Sequence, residues 1–215
     1  MTGRFDLFYS LEQEKQTRII HAAMNEFAEK GFKRASTNNI IEKAGISKGM
    51  LFYYFGSKEE LFDFLCEYTI EFGKNTYLSK FSAETGDFLE RYRLLTVIKR
   101  KALSEFPVII KFLESLYVIQ EEQFLKFQKA AAELRDSLRK NMYDGIDYSL
   151  FREGIDPHNT AKYIKWLMDS YEADITARLK DGSFNMEDKE VLSDEWERFY
   201  CFINDLRKIF YKGEF

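Results

Sequence analysis

The chain has 215 residues, 32 of them Lys or Arg and 36 Asp or Glu, and a formal net charge of −4. With 45% apolar residues and two prolines, its composition favours long helices and argues against a many-turned β protein. Two distant cysteines and two histidines give no metal-ligand spacing. We therefore expect no metal, no cofactor and no catalytic residues. The absence of a signal-peptide pattern or membrane-spanning apolar run predicts a cytoplasmic protein.

Charge is distributed unevenly along the chain. Residues 1–60 carry 9 basic and 8 acidic side chains, whereas the remainder carries 23 basic and 28 acidic ones. Between residues 30 and 58, six basic residues stand against Glu42 alone, a local charge of +5. The six are Lys30, Lys33, Arg34, Lys43, Lys48 and Lys58. A basic island on an acidic protein can bind a polyanion locally.

The first helices follow from apolar spacing and capping residues. Apolar residues at helical intervals predict a helix over residues 12–30, which Gly31 ends. A short second helix follows, with Ser36 or Thr37 as its cap and Gly45 at its end.

A third short helix begins after only three residues, Gly-Ile-Ser. Ser47 can cap it, and Ile46 lies inside the turn as an apolar plug. This arrangement is the helix-turn-helix pattern, in which the second of the two helices is exposed on one side. Leu51 and Phe55 are expected to face the core. The spacing therefore predicts a helix-turn-helix, although unrelated helical hairpins can match part of it.

The rest of the chain is also predicted to be helical. Ser57 and Glu60 have capping-box spacing at the start of a fourth helix that runs to about residue 78. Asp156 followed by Pro157 begins another strong helix. The later predicted helices span residues 87–104, 108–119, 121–143, 157–180 and 189–212. The fold class is thus all-α, with about nine helices.

The third helix, which begins after Ser47, has the side chains expected of a DNA recognition helix. Lys48 supplies charge, Gly49 allows close approach of the backbone, and Tyr53 and Tyr54 can contact sugar and phosphate. An open alternative is that the aromatic residues only pack against the first helix.

Residues 18–62 resemble the N-terminal DNA-binding domain of the tetracycline-repressor (TetR) family of transcriptional regulators. The resemblance is ordered and ungapped. The matching positions are Ala22, Ala23, Phe27, Gly31, Phe32, Ser36, Thr37, Ile40, Ala44, Gly45, Ile46, Ser47, Lys48, Gly49, Leu51, Phe52, Tyr54, Phe55, Ser57, Lys58, Glu59 and Leu61. Two positions depart from the family pattern: Met50 replaces a usual Thr or Ser, and Phe52 replaces a usual Tyr. These departures leave the operator sequence unpredictable.

The resemblance implies a DNA-binding role for particular residues. They are Thr37, Ser47, Lys48, Gly49, Met50, Tyr53, Tyr54 and Lys58. It also implies a three-helix helix-turn-helix domain over residues 1–60, followed by a helical effector-binding and dimerisation domain over residues 61–215. The expected partners are double-stranded DNA with a palindromic operator, a second copy of the chain, and a small-molecule effector of unknown identity, with a hydrophobic one as the first guess. Repression is favoured because most of the family represses.

The second domain offers aromatic candidates for both of its expected roles. Effector-pocket candidates are Phe106, Phe112, Tyr117, Phe124, Phe127, Tyr163 and Trp166. Dimer-interface candidates are Trp196, Phe199, Phe202, Ile203, Leu206 and Phe210. Some of both sets must belong to the chain's own core. Two other functions stay open: an all-helical enzyme, for which no catalytic motif is found, and a chromosome-organising or partner-recruiting DNA-binding protein without an effector.

Overall fold

The fold is described from a computed structural model over residues 5–78, 85–119, 122–185 and 188–213. Its α-helices are α1 (Asp6–Tyr9), α2 (Gln13–Arg34), α3 (Thr37–Ala44), α4 (Lys48–Phe55), α5 (Lys58–Gly73), α6 (Phe88–Glu105), α7 (Pro107–Ile119), α8 (Glu122–Ala130), α9 (Ala132–Tyr143), α10 (Pro157–Asp181) and α11 (Lys189–Phe210). A π-helical stretch, Lys74–Leu78, continues α5, and a 3₁₀ turn covers Tyr148–Leu150. These ranges contain no strand, and the predicted all-α class is confirmed.

The described ranges hold eleven α-helices, two more than the nine predicted. One addition is α1, a single turn in which Phe8 is buried, as is Phe5 just before it. The other arises because the helix predicted over residues 121–143 is divided at Ala131. There the Gln128 carbonyl accepts a hydrogen bond from the Arg135 guanidinium at 2.6 Å. A side-chain donor thus takes an acceptor that would otherwise continue the helical ladder.

Serine and aspartate side chains fix the helix starts as the capping rules predict. The Ser36, Ser47 and Ser57 hydroxyls each accept a backbone N–H three residues on, at 3.4, 3.2 and 3.0 Å. Asp156 does the same for α10, with Pro157 at its first position. Because these bonds set where each helix begins, the predicted starts of α3, α4, α5 and α10 are close to the observed ones.

The chain divides into two compact units. The first consists of Met1–Lys80 with Lys99–Ser137. Its core gathers apolar residues from α1 to α5 with Ile109, Phe112 and Leu116 of α7. Helix α7 packs on α2, and α8 packs on α5. The Phe112 ring meets Phe62 of α5 edge-on, with ring centres 5.7 Å apart. The predicted functional division at residues 60 and 61 does not coincide with this unit and stays a prediction.

The second unit consists of Phe81–Ile98 with Leu138–Phe215. Its core includes Phe88, Ile164 and Ile203, which are almost completely buried. The Tyr211 hydroxyl, at the end of α11, donates to Asp87 at 2.9 Å and accepts the Leu89 N–H at 3.0 Å. These bonds tie the last helix to the start of α6.

Within the ranges that the structure describes, no helix combines the length and apolar character needed to cross a bilayer.

Candidate nucleic-acid interface

Helices α3 and α4 are joined by the tight turn that the sequence predicts. Gly45 ends α3 with a left-handed φ of 64°, a conformation that side chains with a Cβ rarely adopt. The Ile46 N–H then donates to the Ile41 carbonyl at 3.2 Å. Ile46 is half-buried and packs on the core of the first unit. The glycine and the apolar plug together set the angle between the two helices.

Helix α4 separates its core face from its solvent face. Leu51 and Phe55 are almost completely buried, which confirms the inward orientation predicted for them. Lys48 and Gly49 are exposed at its first turn, and Tyr53 is 66% exposed. The outward face therefore carries an ammonium, accessible backbone and a tyrosine. These are groups that can contact phosphate, sugar and base edges.

The other predicted DNA-contact residues lie beside this face. Thr37 is the first residue of α3 and is half-buried, while the Ser47 side chain is exposed where it caps α4. Tyr54 is half-buried and packs on the core, with its ring 5.3 Å from that of Tyr53. Met50 is also half-buried. Their contact with DNA stays a prediction.

Lys58 has protein partners in addition to its predicted role at a phosphate. Its ammonium donates to the carbonyls of Lys33 and Ala35 at 3.2 and 2.9 Å. It also lies 4.9 Å from the centre of the Phe32 ring. Lys58 therefore anchors the connection between α2 and α3 in the free protein.

Two features of this surface were not found from the sequence. The Lys15 ammonium, in the first turn of α2, lies 3.9 Å from the Met50 sulfur. In addition, the Phe8 ring packs on Phe55 and Phe64 with centroid distances of 5.0 and 4.9 Å. Helix α1 thus supports the inner side of α4. The apolar pair Phe5 and Phe8 in a short N-terminal stretch was the available signal.

The effector-pocket candidates do not form one group. Phe112 and Phe127 are buried in the first unit, and Phe106 is 40% exposed with its ring 5.0 Å from Phe72. Tyr163 and Trp166 belong to the second unit and are exposed on α10, with Trp166 at 54%. The side chains of Tyr117 and Phe124 lie outside the described residues.

The dimer-interface candidates on α11 fall into two sets. Ile203 and Leu206 are almost completely buried in the core of the second unit. Their apolar surface is already covered by their own chain, so we withdraw both as interface candidates. Trp196, Phe199, Phe202 and Phe210 are half-buried.

Across the described ranges no three His, Cys, Asp or Glu residues come together in a way that could hold an ion.

The geometry defines a helix-turn-helix DNA-binding domain. The family model for bacterial regulatory proteins of the tetR family matches residues 19–64. The uncharacterized HTH-type transcriptional regulator YerO of Bacillus subtilis is 42% identical over 62 residues, which is 29% of this chain and 22% of YerO. The alignments to the first curated relatives span about a quarter of those proteins.

Longer similarities extend beyond the DNA-binding domain. The HTH-type transcriptional repressor KstR2 of Rhodococcus jostii is 24% identical over 153 residues, 70% of this chain and 74% of that protein. The structure of the ketosteroid transcriptional regulator KstR2 of Mycobacterium tuberculosis has a TM-score of 0.60 at 17% identity, covering 95% of this chain and 98% of that one. The TetR family model thus covers the helix-turn-helix region of this chain, residues 19–64.

Proposed function

We propose that the protein binds a palindromic operator as a homodimer, represses the adjacent genes, and leaves the DNA when a small effector binds. The observation that carries this proposal is the outward face of α4, where Lys48, Gly49 and Tyr53 are exposed on a helix fixed by the turn at Gly45. No core requirement explains a lysine, a glycine and a tyrosine on one exposed face. A major groove admits a helix of this kind.

Each predicted contact has a chemical reason. Ser47 and the first backbone N–H groups of α4 can donate to a phosphate, which the helix dipole also favours. Lys48 adds charge, and Thr37 offers a hydroxyl at the start of α3. Met50 presents an apolar side chain that can meet a thymine methyl group. Tyr53 and Tyr54 can lay their rings against the sugars.

A dimer supplies the spacing that two half-sites require. Polar contacts join α10 to α11. Glu195 of α11 accepts a hydrogen bond from the Tyr171 hydroxyl of α10 at 2.6 Å and forms an ion pair with Arg178 of α10 at 2.9 Å. On α10, Tyr163, Trp166 and Leu167 form an exposed apolar patch, since residues three and four apart share one face. With the half-buried aromatic residues of α11, this patch is the proposed interface. A second copy of the chain packed on this patch would bury its apolar surface away from water.

Effector control can act within the first unit. Helix α7 packs directly on α2, and its Phe112 ring lies edge-on to Phe62 of α5 with ring centres 5.7 Å apart. On α8, Lys126 pairs with Glu59 of α5 at 2.7 Å. A ligand that moves α7 or α8 would therefore change the support of α2 and α5. It would release DNA if it binds better to a state that cannot bind the operator.

The effector class to test first is a hydrophobic small molecule. Phe106, Phe112 and Phe127 of the first unit are apolar and lie on or beside α7 and α8. Apolar walls with few polar groups are typical of sites for such ligands. The similarity to KstR2, which is named for ketosteroids, points in the same direction.

Selection of bound fragments from the source genome tests the proposal. Purified protein is incubated with sheared genomic DNA, and the bound fragments are sequenced. A short inverted repeat bound by two chains per site is expected. Many unrelated sites without a shared sequence would instead support the chromosome-organising alternative. Hydrophobic compounds suggested by the neighbouring genes are then screened for release of the complex.

A further inference from the structure

The carboxylate of Glu26 on α2 is buried to 1% exposure, although glutamate is rarely buried unless it is paired. It follows Ile19 and Ala22 on one face of α2, where both neighbours are apolar and buried. In the described ranges no Lys, Arg or His nitrogen lies within ion-pair distance of it. Burial of a carboxylate in such surroundings is costly unless hydrogen bonds replace water.

Those hydrogen bonds come from the start of α3. The Glu26 Oε1 atom accepts the Ser36 backbone N–H at 2.9 Å and the Asn39 side-chain amide at 3.5 Å. Ser36 is the cap of α3, and its own hydroxyl accepts the Asn39 N–H. In a capping box the cap N–H is bound by a Glu or Gln three residues later. Here that position is Asn39, and a glutamate from another helix takes over the role.

The same connection is held on its other side. Lys58 donates to the carbonyls of Lys33 and Ala35. The segment between α2 and α3 is therefore bound at its carbonyls by the Lys58 ammonium and at the Ser36 N–H by the Glu26 carboxylate. The negative charge of Glu26 also lies at the N-terminal end of α3, where the helix dipole favours it. The first turn of α3, which begins with Thr37, is thus fixed from α2 and α5.

We propose that Glu26 is a positioning residue for DNA binding: it fixes the first turn of α3 so that the helix-turn-helix pair meets the operator in one orientation. The inference rests on the proposed function. Glu26 itself is buried and does not contact DNA. Its effect should therefore appear in specific binding, which needs one orientation, and far less in non-specific binding, which needs only charge.

The test compares three full-length variants. Glu26→Met fills a similar volume without an acceptor, and Glu26→Gln keeps a carbonyl oxygen that can accept the same N–H groups. Glu29→Ala, on the same helix, is the control because that side chain is exposed and pairs only loosely with Lys111. Fluorescence anisotropy measures affinity for the selected operator and for a scrambled duplex. Circular dichroism measures the melting temperature, and hydrogen exchange follows the peptide that contains Ser36.

Glu26→Met is expected to weaken operator binding about threefold per subunit, and so about tenfold in a dimer, because the hydrogen bonds from Glu26 to Ser36 and Asn39 are lost. Scrambled-duplex affinity should change less than about twofold. Exchange at Ser36 should accelerate in Glu26→Met only, while Glu26→Gln and Glu29→Ala retain operator affinity.

Two outcomes would overturn the inference. Wild-type operator affinity in Glu26→Met would show that the bond does not position α3. Equal losses for operator and scrambled DNA, with a lower melting temperature, would show a merely structural role. If the wild-type protein selects no operator, the proposed function fails instead. Unchanged exchange at Ser36 in Glu26→Met would then reject the contact independently of DNA.

Discussion

Arg91 on α6 provides the sharpest stability prediction, because its fully buried guanidinium serves several backbone carbonyls at once. Its Nε donates to the backbone carbonyl of Thr85 at 2.7 Å, and its Nη1 donates to the backbone carbonyls of Met142 at 3.0 Å and Asp144 at 2.6 Å. Further bonds reach the carbonyls of Asn141 and Gly145 at 3.1 Å each. Several of these carbonyls lie at the C-terminal end of α9, where the helix has no N–H groups left to bind them.

The size of the effect follows from which carbonyls water can reach after Arg91→Met. Asp144 and Gly145 are exposed, so water can replace the arginine there. Met142 is buried, and Thr85 and Asn141 are half-buried. Asn141 shares the Nη1 donor with Met142, so two bonds to a charged donor are counted, at about 2 kcal/mol each. We therefore expect a loss of about 4 kcal/mol in unfolding free energy, or about 8–16 °C in melting temperature.

Thermal and urea unfolding followed by circular dichroism measure this loss. Arg93→Ala is the matched control two residues away, since the Arg93 side chain is partly exposed and pairs with Glu90 on the same helix. It should lose less than about 1 kcal/mol. The reasoning is refuted if Arg91→Met is no less stable than Arg93→Ala.

Three further predictions concern the interface, the anchor of α5 and the thiols. Trp166→Glu places a charge in the proposed dimer interface, so sedimentation should show monomers and operator affinity should fall by about 100-fold or more. A dimer that stays intact would contradict the assignment of this patch to the interface. Lys58→Met removes the donor to two carbonyls and should lower the melting temperature by about 2–4 °C without DNA, and an unchanged value would disprove that anchoring. Burial raises the pKa of the Cys66 thiol, which is the cysteine that remains in the Cys201→Ser variant. The folded variant should therefore not react with a disulfide reagent at about pH 8, and rapid reaction would contradict the burial of Cys66.

Local signals in the sequence predicted the helix-turn-helix well. Caps at Ser47 and Ser57 and the left-handed glycine at Gly45 depend on residues within a few positions of each other. The division of α4 into a buried and an exposed face follows from the 3.6-residue period. Such features can be inferred from sequence because their physical causes are local.

Tertiary contacts account for the features that could not be predicted. Glu26 looks like an ordinary surface charge in the sequence, and Lys58 was predicted only as a DNA contact. Their hydrogen bonds within the protein join residues 10 to 25 positions apart. Arg91 reaches carbonyls about 50 residues away. The position of Trp166 on an exposed face was also hidden, because aromatic residues at helical spacing fit a core, a pocket or an interface equally well. Period alone does not tell which of these surfaces a helix faces.

The most direct test of the central claim is the salt dependence of operator binding for the wild type and Lys48→Ala. The logarithm of the affinity is measured by anisotropy against the logarithm of salt concentration. Loss of one phosphate contact per subunit should reduce the slope by about 2 in a dimer and weaken binding to all sequences. A wild-type slope and affinity in Lys48→Ala would contradict the assignment of α4 as the DNA-reading helix.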